Sequence, residues 1–158
     1  MSRALADRAE HLDLTGRKLQ AFPAEVLRMP WLRTLILDGN LIDELPETLG
    51  ALTRLEHLSV RECGLTALPE SIGDLAALGV LRVAGNAVGF TLPAGVGRLT
   101  ALEELDISRL SVPSGAVTVP RANPPEVTRF VLPDTFGGHA PTPAARRSRR
   151  RAGLQPRW

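Results

Sequence analysis

Between residues 12 and 105 apolar positions recur in three interlocked phases. Leu12, Leu35, Leu58, Leu81 and Leu105 open segments at intervals of 23, 23, 23 and 24 residues. An apolar–proline pair follows each of the first four openings, as Phe22-Pro23, Leu45-Pro46, Leu68-Pro69 and Leu92-Pro93. After each pair comes an apolar triplet spaced by three, as Val26/Met29/Leu32, Leu49/Leu52/Leu55, Ile72/Leu75/Leu78 and Val96/Leu99/Leu102. Phases that hold register through successive units define an internal repeat.

The periods predict the elements. At each opening apolar residues alternate (Leu35 and Leu37, Leu58 and Val60, Leu81 and Val83), the mark of a short strand with one buried face. The triplets suit a 3₁₀-like return, in which side chains align every three residues. Proline between them falls outside the ladder, where its missing N–H breaks no bond. A unit of strand, turn and helical return makes successive strands parallel. One unit cannot bury its own apolar face, so neighbours stack into a solenoid. Repeat four carries one extra residue between Asn86 and Pro93, which predicts a bulge near Gly89–Thr91.

These motifs resemble the leucine-rich repeat family, and more narrowly its 23-residue Ras-group-like class of intracellular and bacterial type. The resemblance covers residues 12–108. It implies an α/β solenoid, with short parallel strands on a concave face and helical or 3₁₀ returns on a convex one. It also implies Asn or Cys at a sixth position, bonding the turn backbone of adjacent repeats. Asn40, Cys63 and Asn86 match; Arg17 departs, as suits an atypical first repeat.

The remaining chain divides around that block. Residues 1–11 form an N-terminal cap, with a short helix expected over 2–10, and residues 109–138 a degenerate repeat or C-terminal cap. Within the latter, VTRFVL at 127–132 reads as a further strand. Residues 139–158 have a composition that cannot bury a core and are expected to be a disordered basic tail.

Composition sharpens this. The chain has 158 residues, 19 Lys and Arg, 17 Asp and Glu, and a net charge of +2. All the acids precede residue 139, and six Arg follow it, so a body of net −4 carries a tail of net +6. A single Cys excludes a disulfide framework and a zinc knuckle. No apolar run approaches the roughly 18–20 residues of a membrane span, and the first ten residues lack a signal-like apolar stretch. The expectation is a soluble monomer of a reducing, cytoplasmic compartment, with a truncated member of a longer repeat family as a competing class.

Candidate chemistry is sparse. His11 and His57 lie two strands apart, about 10 Å at the backbone, with Thr34 between them, too far to share a metal. Cys63 occupies the turn position, where burial makes it structural rather than nucleophilic. No cysteine follows it to serve a ubiquitin-ligase domain, and the lone Lys18 excludes a Walker motif. No catalytic residue, cofactor or metal is expected.

A recognition surface is the better reading. Outward strand positions form three columns: His11, Thr34, His57, Val80 and Glu104; Asp13, Ile36, Ser59, Arg82 and Asp106; Thr15, Asp38, Arg61, Ala84 and Ser108. Ile36, Asp38, His57, Ser59, Arg61, Arg82 and Asp106 make a mixed-charge patch suited to an unidentified protein or peptide, as in a scaffold. The flat footprint of about 350 Å² is small against about 800 Å² per partner in a standard interface. The competing reading is electrostatic: Arg146, Arg147, Arg149, Arg150 and Arg151 could hold nucleic acid or an acidic partner.

Overall fold

The computed structural model describes residues 7–110 and the backbone of residues 129–131. Six strands form one parallel sheet in chain order: β1 (His11–Asp13), β2 (Thr34–Ile36), β3 (His57–Ser59), β4 (Val80–Arg82), β5 (Glu104–Asp106) and β6 (Arg129–Val131). The register pairs Leu12, Leu35, Leu58, Leu81 and Leu105 in one row, and Phe130 stands opposite Leu105. Each strand is three residues long, because the chain turns away just after the second outward position.

The returns are 3₁₀ helices throughout the described residues: η1 (Ala24–Arg28), η2 (Glu47–Ala51), η3 (Glu70–Asp74) and η4 (Ala94–Arg98). Pro23, Pro46, Pro69 and Pro93 cap their N-termini, with φ between −69° and −74°, close to the angle a pyrrolidine ring imposes. The bonds then run in steps of three. The Val26 N–H donates to Pro23 O, Met29 to Val26 O, and Leu32 to Met29 O. That ladder puts Val26, Met29 and Leu32 on one buried line, and the other triplets repeat it.

Leucines of strand and return meet in thin layers between the sheet and the 3₁₀ side, in one continuous core. Trp31 packs against its first layer, with the Arg8 guanidinium 5.8 Å from the ring centre. Of the helix expected over residues 2–10, residues 7–10 are turn and bend, and the rest lie outside the described residues. The basic tail and residues 111–128 and 132–138 also lie outside them.

The extra residue of repeat four is absorbed at Val88-Gly89. Val88 is 87% exposed and Gly89 has φ +82°. The Phe90 N–H closes the turn on Ala87 O, and its ring is fully buried. Thr66 donates to Asp43 O and Thr91 to Thr66 O, so Phe90 falls in line with Ile42 and Leu65. A larger side chain therefore fills the slot that the longer loop opens.

The sixth-position side chains stitch the turns. Asn40 Nδ2 donates to Leu14 O and Leu37 O, while its Oδ1 accepts from the Leu19 N–H. Asn86 Nδ2 donates to Val60 O and Val83 O, while its Oδ1 accepts from Cys63, Gly64 and Leu65. Cys63 stands between them, its Sγ 3.1 Å from Leu37 O.

On the convex side a second ladder runs. The Glu47 carboxylate accepts from the N–H groups of Glu70 and Ser71 at the start of η3. The Glu70 carboxylate accepts from Ala94 and Gly95 at the start of η4. Each acid satisfies the orphan donors of the next repeat's helical turn.

Candidate functional site

The concave face is built by the outward residues of β1–β5. Cross-strand register joins His11, Thr34, His57, Val80 and Glu104 in one row and Asp13, Ile36, Ser59, Arg82 and Asp106 in the next. Beyond the strand ends, the Gly39 N–H donates to Arg61 O, which keeps Asp38 and Arg61 adjacent in the third row. The face is thus a continuous sheet surface whose side chains come from residues 23 or 24 apart.

Most of its polar groups are already engaged. Ser59 is buried rather than solvated, the one clear departure from the expected patch; its hydroxyl donates to Asp38 Oδ1 at 2.7 Å. The same oxygen accepts from the Arg61 N–H at 2.9 Å. Arg82 Nε donates to Glu104 Oε1 at 2.8 Å. Asp106 Oδ1 accepts from the Ser108 N–H. Arg33 lies between Glu10 and Glu56, 3.3 and 2.7 Å away. Thr15 donates to Asp13 through both hydroxyl and N–H, and those bonds hold the Asp13 carboxyl below its ordinary value.

His11 and His57 remain separate, because Thr34 stands between them and its Oγ1 lies 2.9 Å from His11 Nδ1. Among the described residues no group of three or more His, Cys, Asp or Glu side chains is placed to hold a metal ion. Cys63 is buried, and that burial pushes its thiol above the ordinary value, which suppresses the thiolate a nucleophile needs. No helix among the described residues is long and apolar enough to cross a membrane.

Short Ser59 between the longer Ile36 and Arg82 leaves a depression of about 260 Å³ in the middle of this face. Ile36 and Val80 supply its apolar wall, the β3 backbone at Leu58 and Ser59 its floor, and Thr34, His57 and Arg82 its rim. Sequence periodicity placed these side chains on one face, but not the depression. That arises from Ser59 being drawn down against Asp38 while its neighbours stand up.

The geometry is that of a repeat solenoid, and residues 11–118 match the family model described as "Leucine-rich repeat region". The chain belongs to the leucine-rich repeat family. It is 37% identical over 103 residues to mouse (Mus musculus) vasorin, covering 64% of this chain and 15% of that protein. It is 41% identical over 96 residues to mouse leucine-rich repeat and calponin homology domain-containing protein 1, covering 61% and 13%. Among solved structures it is similar to a leucine-rich-repeat protein of Leptospira interrogans, at 26% identity and a TM-score of 0.48, covering 68% of this chain and 33% of that one. The chain spans only about a seventh of the curated relatives' lengths.

Proposed function

We propose that the protein is a non-enzymatic protein-interaction module that holds a protein or peptide on its concave face. One observation carries the reading. The outward residues of β2–β4 surround an unfilled depression, while the convex side is occupied by the protein's own capping ladder. The contact residues are Ile36, His57 and Arg82 around the depression, with buried Ser59 as floor, and Asp38, Arg61 and Asp106 on the same face beside it. Family membership supports a recognition role. We read the repeats as the 23-residue Ras-group-like class of bacterial type, acting as a monomer in a reducing cytoplasm. Residues 1–11 and 109–138 are read as its caps.

Affinity capture with Arg61→Glu/Arg82→Glu tests the surface. Loss of partners from a variant with an unchanged circular dichroism spectrum supports it; unchanged capture refutes it.

A second reading has its own observation: residues 139–158 hold six Arg and no acid. Such a segment binds polyanions with steep salt dependence. A gel shift that disappears on removal of residues 139–158 and at raised salt would favour it. Absence of any shift at low salt would eliminate it.

A further inference from the structure

We propose that the concave depression takes an internal, extended peptide segment with an aliphatic side chain next to an acidic one. The aliphatic group fills the depression, and the carboxylate bonds Arg61 and Arg82. The proposal rests on the concave-face reading and gives its partner a chemistry.

The apolar half follows from shape. Ile36 and Val80, both half-buried, stand on the strands either side of Ser59, which is itself buried. The space of about 260 Å³ between them is roomy enough to admit a branched aliphatic side chain. Covering it removes apolar surface from water at about 25 cal/mol per Å².

The acidic half follows from what is left unbonded. Asp38 Oδ1 already accepts from two donors, Glu104 is held by Arg82, and Asp106 is held by Ser108. The Arg61 guanidinium has no acceptor among the described residues, and Arg82 uses only its Nε there. The uncommitted donors nearest the depression are therefore the Arg61 guanidinium, beside its lining, and the terminal nitrogens of Arg82, on its rim. Arg61 and Arg82 sit one strand and two residues apart, about 8 Å between Cα atoms, so two guanidinium groups can converge on one carboxylate. The depression lies on β2–β4, with β1 on one side and β5 on the other. A chain that reaches it crosses the sheet and continues, which favours an internal segment over a terminus.

Panning a displayed random heptapeptide library on the full chain tests this. The expected enrichment pairs Leu, Ile, Val or Phe with Asp or Glu within two positions. A synthetic peptide of the most enriched sequence, followed by fluorescence anisotropy, should bind Arg61→Glu about tenfold or more weakly, the loss of one charge-assisted bond. It should also weaken on Ile36→Ser, and panning on Arg61→Glu should exchange the acid for Lys or Arg. Enriched sequences that need Ile36 but show no acidic preference overturn the proposal and leave the concave-face reading standing. Sequences indifferent to both substitutions overturn both. No enrichment over bare support overturns the proposal.

Discussion

Arg109 Nη1 lies 2.7 Å from Glu62 Oε1, and the pair closes over Gly85, joining repeats that are not neighbours. A Cβ on Gly85 would come within 3.0 Å of Glu62 Cγ, so the glycine leaves room for the pair. Gly16, Gly39, Glu62, Gly85 and Arg109 occupy one turn position in successive repeats, and all have φ between +51° and +67°. The two residues that depart from glycine there are the two that pair.

Left-handed φ costs a residue with a Cβ about 1–2 kcal/mol, whereas an exposed ion pair returns about 0.2–1 kcal/mol. Strain therefore outweighs the pair at Glu62. Glu62→Gly and Glu62→Ala both remove the pair, and only Glu62→Gly relieves the backbone. Urea unfolding should place Glu62→Gly above Glu62→Ala by about 1 kcal/mol. Equal midpoints would mean that the turn is not strained.

The convex returns approach more closely than side chains allow. A Cβ at Gly73 would collide with Gly95 O, and one at Gly95 with Glu70 O. Gly79, just before β4, has only van der Waals neighbours at 3.7 Å and beyond. Gly73→Ala should destabilise by about 1–3 kcal/mol, since backbone must move. Gly79→Ala should be neutral, or more stable by up to about 1 kcal/mol through the unfolded chain. Thermal unfolding of the two variants side by side decides it.

What the sequence disclosed and what it hid divide along one physical line. Leu35, Leu58 and Leu81 were legible because burial forces apolar residues into periodic slots, and Asn40 and Asn86 because a turn needs both donor and acceptor. Period two assigns Ser59 to the outward face but says nothing of its depth. The Asp38 carboxylate, one strand away, draws it under. Glu47 and Glu70 look like ordinary acids after proline; their targets lie 23 to 25 residues on and became visible only once repeats were stacked. The pairing of Arg82 with Glu104 was hidden likewise, because it runs diagonally between two rows.

Asn86 should be the costliest polar residue to remove. Its side chain satisfies three N–H groups and two carbonyls at once. Asn86→Ala orphans them together and should cost about 2–4 kcal/mol. Asn86→Asp keeps the acceptor but turns a carboxylate oxygen toward Val60 O and Val83 O, so it should not rescue stability. Cys63→Ala, which loses only weak sulfur contacts and a small buried group, should cost about 1 kcal/mol. Guanidinium unfolding of the three variants should give that order, and an Asn86→Ala cost no larger than that of Cys63→Ala would refute the stitching role.

Acid should loosen the solenoid from the convex side. The Ser71 N–H bond, above all, holds the Glu47 carboxyl below its ordinary 4.5, because it stabilises the charged form. A depressed folded pKa contributes stability that is fully present above the unfolded value and disappears as pH falls through the folded one. The Glu47 contribution should therefore be constant from neutral pH down to about pH 5.5 and decline below 4.5. Glu47→Gln keeps an acceptor for Ser71 but cannot titrate, so it should flatten the stability profile below pH 4.5 while lowering the neutral plateau. Asp13, held down by Thr15, adds a parallel acid-sensitive step on the concave face, and Thr15→Val, which removes the hydroxyl donor but keeps the residue-15 N–H, should shrink that step and leave the Glu47 step in place. Urea midpoints measured from pH 3 to 7 on the wild type and both variants check this. A Glu47→Gln profile that superimposes on the wild type would show that the inter-repeat cap carries no stability.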